Sequence, residues 1–465
     1  MIHRRGGTRF RLFPQSPDLP GFAEPEVVEV SVPPGGIAAG PTDRVMYVVD
    51  AFDKPAHYED DYGPPYRGPT LPPARPGPDG HFDHIPTGDR TFLSAHMYGS
   101  IRFVLDIWEG YLGRPVWWYD PRAGFQVELV PEVDWDNAHA GVGFIETGGR
   151  VNKAGEYQPF ALNFDVLAHE VGHTILFSEL GLPNLDTLTG DFLAYHESVS
   201  DVIALISALH FEGVLDDLIR QTGGNLYVLN WLNRIGELSA TEQIRIASND
   251  RHLQELEGVT LGADGEWHDS SGEGRKAHDL SQPLTGAVFD ALIEVYQDGL
   301  VRRGVIDPVW DTRNWTRADV EASLAELQSR SGDALLRHEA AFVDALREAR
   351  DTLGRMVALT CLRLSPHDLT LDEIAAAFLD SAEIVGQEHN LRAFAEDLAA
   401  RGFDIPRGVA QQRRRQPTPP PRSAPYATRA AWAEAQRGGG PRIAIAADRR
   451  QFDGLYRMIN HDFRI

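Results

Sequence analysis

Nine residues, Asp165-Val-Leu-Ala-His169-Glu170-Val-Gly-His173, constrain this chain more than any others, because they set two histidines and a glutamate among apolar side chains. Residues four apart lie one above the other on a single helix face. Phe164, Val166, Leu167, Val171, Ile175 and Leu176 nearly surround the polar trio, so a helix is expected from about Asn163 to Glu179, buried on most sides. Leu180-Gly181-Leu182-Pro183 supplies the Gly and Pro that end it. Polar groups in such a place need partners, since an unpaired one costs about 1–3 kcal/mol. A metal ion is the simplest partner, because two imidazole nitrogens at this spacing can reach one zinc ion at about 2.0–2.1 Å. Glu170 projects beside the histidine face, close enough to reach a water at the metal without being a ligand.

A three-ligand catalytic zinc site needs one more donor and an open position for water. Downstream, Tyr195-His196-Glu197-Ser198-Val199-Ser200-Asp201 opens an apolar helix. Glu197 can close the ligand set, and Asp201, one turn on, can accept the second ring N–H of a zinc histidine and fix its tautomer. His196 competes as a ligand but points about 100° away from Glu197 around the same helix, so it ranks lower.

The rest of the sequence places this pair of helices in a larger frame. Val27–Val32 and Val45–Val49 are β-branched runs separated by Pro and Gly, which predicts short strands joined by a turn. Residues 58–87, crowded with Pro, Gly and Asp, suit an irregular loop. Phe92, Met97, Ile101, Val104, Leu105 and Trp108 fall at helical spacing within 91–111, and GFQVELVP and AGVGFIETGG look like strands of a small sheet. Helical periodicity then dominates, at 195–212, 226–238, 285–298, 318–327, 334–353, 371–379 and 390–401. Four regions follow: a β-rich stretch with its Pro/Gly-rich loop (1–90), a catalytic N-lobe ending in the H-E-x-x-H helix (91–180), a helical C-lobe (181–405) and an Arg/Pro-rich tail (406–465).

Composition removes several alternatives. A net charge of −24 argues against nucleic acid as a partner, because phosphate binding needs a basic surface. The single cysteine, Cys361, excludes an intramolecular disulfide framework, and its setting, VALTCLRL, suits an inert core thiol. No run of about twenty apolar residues occurs, nor an N-terminal apolar stretch like that of a secretory signal, so the expectation is a cytoplasmic protein without a membrane span.

The arrangement resembles the gluzincins, and within them the thermolysin-like metallopeptidases, over roughly Thr91 to Leu292. His169, Glu170 and His173 match that family's HExxH, Glu197 and Asp201 its ExxxD, and Asp165 a further position four residues before the first histidine. AHMYGSIRFVLDIW, from Ala95, is similar to the family's AHYY-type helix, and Asp136-Asn137-Ala138 to its NNA edge-strand motif. Ile244-Arg245-Ile246-Ala247-Ser248-Asn249 resembles LRSMSDP, and Glu273-Gly-Arg-Lys-Ala-His278 the segment in which an acid orients a histidine five residues later. The resemblance implies an α+β, two-lobed metallopeptidase fold with a β-rich N-terminal lobe, a mainly helical C-terminal lobe and a zinc site between them. It further implies a peptide or protein substrate, with Glu170 as general base, His278 and Arg245 as donors to the developing oxyanion, Glu273 orienting His278, and Asn137 binding substrate backbone. Ala208 stands where the family has a calcium-binding glutamate, so calcium is not implied.

Two rivals differ in class. A scaffold that keeps zinc for structure has no need of Glu170, and a gluzincin aminopeptidase needs a GxMEN-type segment that the sequence does not convincingly offer. The tail adds a separate expectation. Residues 406–465 carry twelve arginines against four acids, a net +8, which leaves −32 on the remainder. Such a segment suits docking on its own body or recruiting an acidic partner, over a Debye length of about 8 Å at physiological salt, or else a disordered tail. Cutting the chain after Arg407 tests the first: a rise in kcat/KM for a generic peptide at low salt is expected from a docked restraint, and kinetics unchanged at low and high salt exclude it and leave recruitment or disorder.

Overall fold

The alternation Arg9-Phe10-Arg11-Leu12 buries Phe10 and Leu12 and leaves the arginines part-exposed, the pattern of a strand with one face on the core. This strand, β1 (Thr8–Leu12), pairs antiparallel with β2 (Glu26–Val30). The second β-branched run forms β3 (Met46–Val48), which pairs in parallel with β4 (Val127–Val130) instead of turning back on β2. The expected turn-linked pair is therefore split, each run having found a partner distant in sequence. A four-stranded sheet of order β3-β4-β6-β5 results, with β5 (Ala138–Gly141) antiparallel to β6 (Phe144–Thr147) at the edge. β7 (Gly149–Val151) and β8 (Tyr157–Pro159) form a small hairpin leading to the next helix. This computed structural model describes residues 6–56, 64–119, 126–141, 143–152, 155–184, 186–228, 230–239, 242–256, 260–261, 267–268, 277–315 and 317–405. Glu273 and the basic tail, 406–465, lie outside the described residues.

Eight helices carry most of the described core: α1 (Thr91–Leu112), α2 (Phe164–Glu179), α3 (Gly190–Ala208), α4 (Glu212–Thr222), α5 (Ala277–Arg302), α6 (Arg317–Cys361), α7 (Leu371–Ile384) and α8 (Leu391–Ala400). The Asn163 side chain caps α2 by accepting from Val166 N, and Thr189 caps α3 by accepting from Phe192 N, each satisfying an orphan N–H. α2 stops at Gly181, whose φ of 87° is costly for other residues. The two helices expected within 317–361 run together, with non-helical backbone only at His338.

One expected helix does not form. In place of 226–238 the chain makes a short turn at Trp231–Asn233 and then β9 (Arg234–Ser239), which pairs antiparallel with β10 (Glu242–Ile246). The cause is local: Asn225, Asn230 and Asn233 accept hydrogen bonds from Tyr227 N, Leu232 N and Asn230 N, an alternative to the helical ladder that asparagine side chains readily offer. No described helix is long and apolar enough to cross a membrane. Cys361 is buried, and burial pushes its thiol pKa up, in keeping with an inert core residue.

Helix α3 packs against both α2 and α5, and β9 lies against α2 and α3. α2 and α3 meet tightly at Gly172, where a Cβ would lie 3.0 Å from Ser200 Cα and 3.1 Å from its Oγ. Both residues are buried, so neither helix can relax toward solvent. Gly172→Ala gains about 1 kcal/mol of helix propensity but sets a methyl against backbone, and overpacking costs about 1–3 kcal/mol. It is expected to lower the thermal midpoint, whereas Gly332→Ala in α6, where an added Cβ meets nothing within 4 Å, raises it. Thermal unfolding of the two variants beside wild type checks the opposite signs.

Candidate metal centre

Helical spacing on α2 stacks His169 over His173, with Nε2 atoms 3.0 Å apart and rings nearly perpendicular at 84°. Glu197, on α3, faces them across the close helix contact: its Oε2 lies 3.5 Å from His169 Nε2 and its Oε1 3.8 Å from His173 Nε2. All three residues are buried, and one ligand atom from each falls within 4.8 Å of the others. Ligands at about 2.0–2.1 Å from a tetrahedral ion stand about 3.3–3.4 Å from one another, close to the 3.0 and 3.5 Å that separate His169 Nε2 from His173 Nε2 and from Glu197 Oε2. The chemistry of the set also fits. Two imidazoles and a carboxylate suit zinc, and a divalent cation neutralises a carboxylate that burial would otherwise disfavour. Among the described residues no other group of three such side chains has this closeness.

The surroundings fix the protonation states. Asp201, one turn beyond Glu197, has its Oδ1 2.8 Å from His169 Nδ1, which places the ring proton on Nδ1 and turns the Nε2 lone pair toward the shared centre. His196 sits on the far side of His173, its ring parallel at 6° and 5.8 Å away, and packs against Phe177 and Phe192. Burial pushes its pKa down to about 3, with Glu197 working the other way, so it is a core imidazole here. Glu170, adjacent in sequence to His169, is buried on the same helix.

Both ends of α2 are held by side chains from elsewhere. At its start Gln15 donates from Nε2 to Asp165 Oδ1 at 3.0 Å. His96 accepts from Phe13 N at 2.9 Å through Nε2 and donates through Nδ1 to Ala161 O at 2.8 Å, so α1 grips the turn that feeds α2. Burial pushes the His96 pKa down to about 4 and keeps it neutral. At its end Glu179 pairs with Arg114 through both carboxylate oxygens, with both side chains buried. Gln15 and Arg114 carried no sequence signal, because nothing in a local pattern marks a partner 150 or 65 residues away.

The remaining candidate residues are distributed as follows. Asn137 immediately precedes the edge strand β5, which packs against α2. It is buried, its Oδ1 accepts from Ala138 N, and its Nδ2 has no hydrogen-bond partner among the described residues. Arg245 lies on β10, paired with Ile235 of β9. His278 is the second residue of α5. The side chains of Arg245 and His278 lie outside the description, as does Glu273 altogether.

No protein-family model matches this sequence, and no curated protein matches it. Among solved structures, the precursor of protealysin, a metalloproteinase from Serratia proteamaculans, aligns with a TM-score of 0.42 and 14% sequence identity, over 81% of this chain and 90% of that one. A likeness of that size bears on neither the activity nor the ligand of this chain.

With one nitrogen on offer from each of His169 and His173, the expectation is one zinc per chain in wild type and its loss in His173→Ala. Elemental analysis of dialysed protein checks this, and full occupancy in the variant contradicts the ligand set.

Proposed function

We propose that this chain is a zinc-dependent endopeptidase of the thermolysin-like gluzincin type, with His169, His173 and Glu197 holding the metal in a cleft between a β-rich and a helical lobe. The observation that carries the reading is the convergence of two imidazoles and a carboxylate from two buried helices, with Asp201 behind one imidazole and Glu170 next to it in sequence. A purely structural zinc is closed by four protein ligands, whereas the described residues bring three together, the number that leaves a fourth position for chemistry.

Zinc in such a site polarises a peptide carbonyl and lowers the pKa of a nearby water toward 7. Glu170 takes a proton from the water as its oxygen adds to the carbonyl carbon, then returns it to the amine nitrogen as the C–N bond breaks. The water is thus divided between the two products, and the base is regenerated. Asn137, with a buried amide donor beside the edge strand β5, binds substrate backbone laid along that edge. His278 and Arg245 donate to the oxyanion, a contribution of about 10²–10³ in rate for one such donor.

Glu170→Gln keeps the shape of the side chain but cannot accept the proton. It is expected to retain zinc and to lower kcat on peptides by about 10²-fold or more. Near wild-type turnover would remove Glu170 from the role of base, and loss of zinc would make it a ligand; a peptide-library assay beside metal analysis reads both.

A further inference from the structure

Two of the proposed donors sit on separate elements: Arg245 on β10 and His278 at the start of α5. For both to meet one oxyanion, the end of β10 and the first turns of α5 must keep a fixed separation. Asn249 spans that gap. Its Nδ2 donates to Gln282 O of α5 at 3.0 Å and to Ala247 O at 3.2 Å, with Ile246 O at 3.4 Å. One side-chain amide therefore joins the residue after Arg245 to the residue four beyond His278.

Asn249 is in turn held by a residue from the far end of the described chain. The guanidinium of Arg401, which caps α8, donates from Nη2 to Asn249 O at 2.6 Å and to Asp290 Oδ2 of α5 at 2.6 Å. Its Nη1 reaches Asn249 Oδ1 and Arg251 O, each at 3.3 Å. The Arg401 backbone takes part as well, its O accepting from Leu253 N at 2.8 Å. The planar group lies flat on α5 at Gly286, where a Cβ would stand 2.5 Å from Nη1. Arg401 is buried, and a bare glycine surface beneath a buried guanidinium on four acceptors is a seat made for it.

We propose that Arg401, acting through Asn249, is a positioning residue that sets the distance between the strand carrying Arg245 and the helix carrying His278. It touches no reacting atom. Its loss misaligns the two donors and lowers turnover, and it leaves zinc binding and ground-state affinity in place. Lysine cannot replace it, because an ammonium lacks the planar fork that reaches Asn249, Arg251 and Asp290 together.

This inference rests on the peptidase reading, and the experiment separates the two. Steady-state kinetics on a peptide substrate are measured for the full-length, zinc-loaded chain as wild type, R401K, R401A, H278A and R401K/H278A, with zinc content and thermal midpoint followed throughout. R401K is expected to keep zinc and to lower kcat about 10- to 10²-fold, the usual cost of an error near 1 Å at the reacting centre, with KM within about twofold. In the H278A background the same change is expected to do far less, because the contact it aligned is gone. R401A is the more disruptive variant, and R401K keeps the test intact should R401A fail to fold. Wild-type kcat in R401K, or an R401K loss that multiplies in full onto H278A, overturns the positioning role while leaving the peptidase reading untouched. A wild-type chain that binds zinc and cleaves no peptide overturns the peptidase reading, and this inference with it.

Discussion

Everything at the candidate metal centre depends on how closely two buried helices approach. His169 and His173 stand on α2 and Glu197 on α3, so the three come together across the contact in which Gly172 faces the Ser200 backbone. A side chain at 172 would force the helices apart by a few tenths of an ångström. The Glu197 oxygens already stand 3.5 Å from His169 Nε2 and 3.8 Å from His173 Nε2, and such a shift would lengthen both distances. Close packing thus does the work of preorganisation, because a rigid contact holds the polar groups together at the distance one ion requires.

That contact is maintained by interactions that look unrelated to it. Gln15 on Asp165 and the Arg114–Glu179 pair fix the two ends of α2, and His96 fixes the turn before it. In the neighbouring sheet, Lys54 and His139 lie 2.6 and 2.7 Å from Glu146. Burial opposes ionisation of that glutamate, but the His139 hydrogen bond and the Lys54 charge prevail and hold its pKa at about 2. Arg114 with Glu179, and Lys54 and His139 with Glu146, are thus buried charges held together, and removing one member would strand the other at a cost of about 3–5 kcal/mol.

Much of this was legible in the sequence where the signal is local. The H-E-x-x-H spacing on an apolar background gives the motif helix, and its cap and terminator are the Asn163 and Gly181 that local rules expect. Glu197 and Asp201, one turn apart, read as a pair facing that helix, and the structure brings them to the two histidines. Non-local pairing was less accessible. The partner of β2 is β1, whose arginines disguise a strand, and β3 runs beside a strand some eighty residues away. The asparagine-rich stretch 225–233 kept a helical period in its apolar residues while its polar ones diverted the backbone. The grip of Arg401 on Asn249 spans 152 residues, a relation no window along the chain can contain.

The central claim is that one zinc ion is held by two imidazoles of one helix and a carboxylate of the next. Zinc K-edge X-ray absorption on the purified wild-type chain addresses it directly. The account predicts one zinc per chain in a four-coordinate shell of nitrogen and oxygen at about 2.0–2.1 Å, with outer scattering from two imidazole rings. A six-oxygen shell, a shell with sulfur, or a protein that takes up no zinc would contradict it.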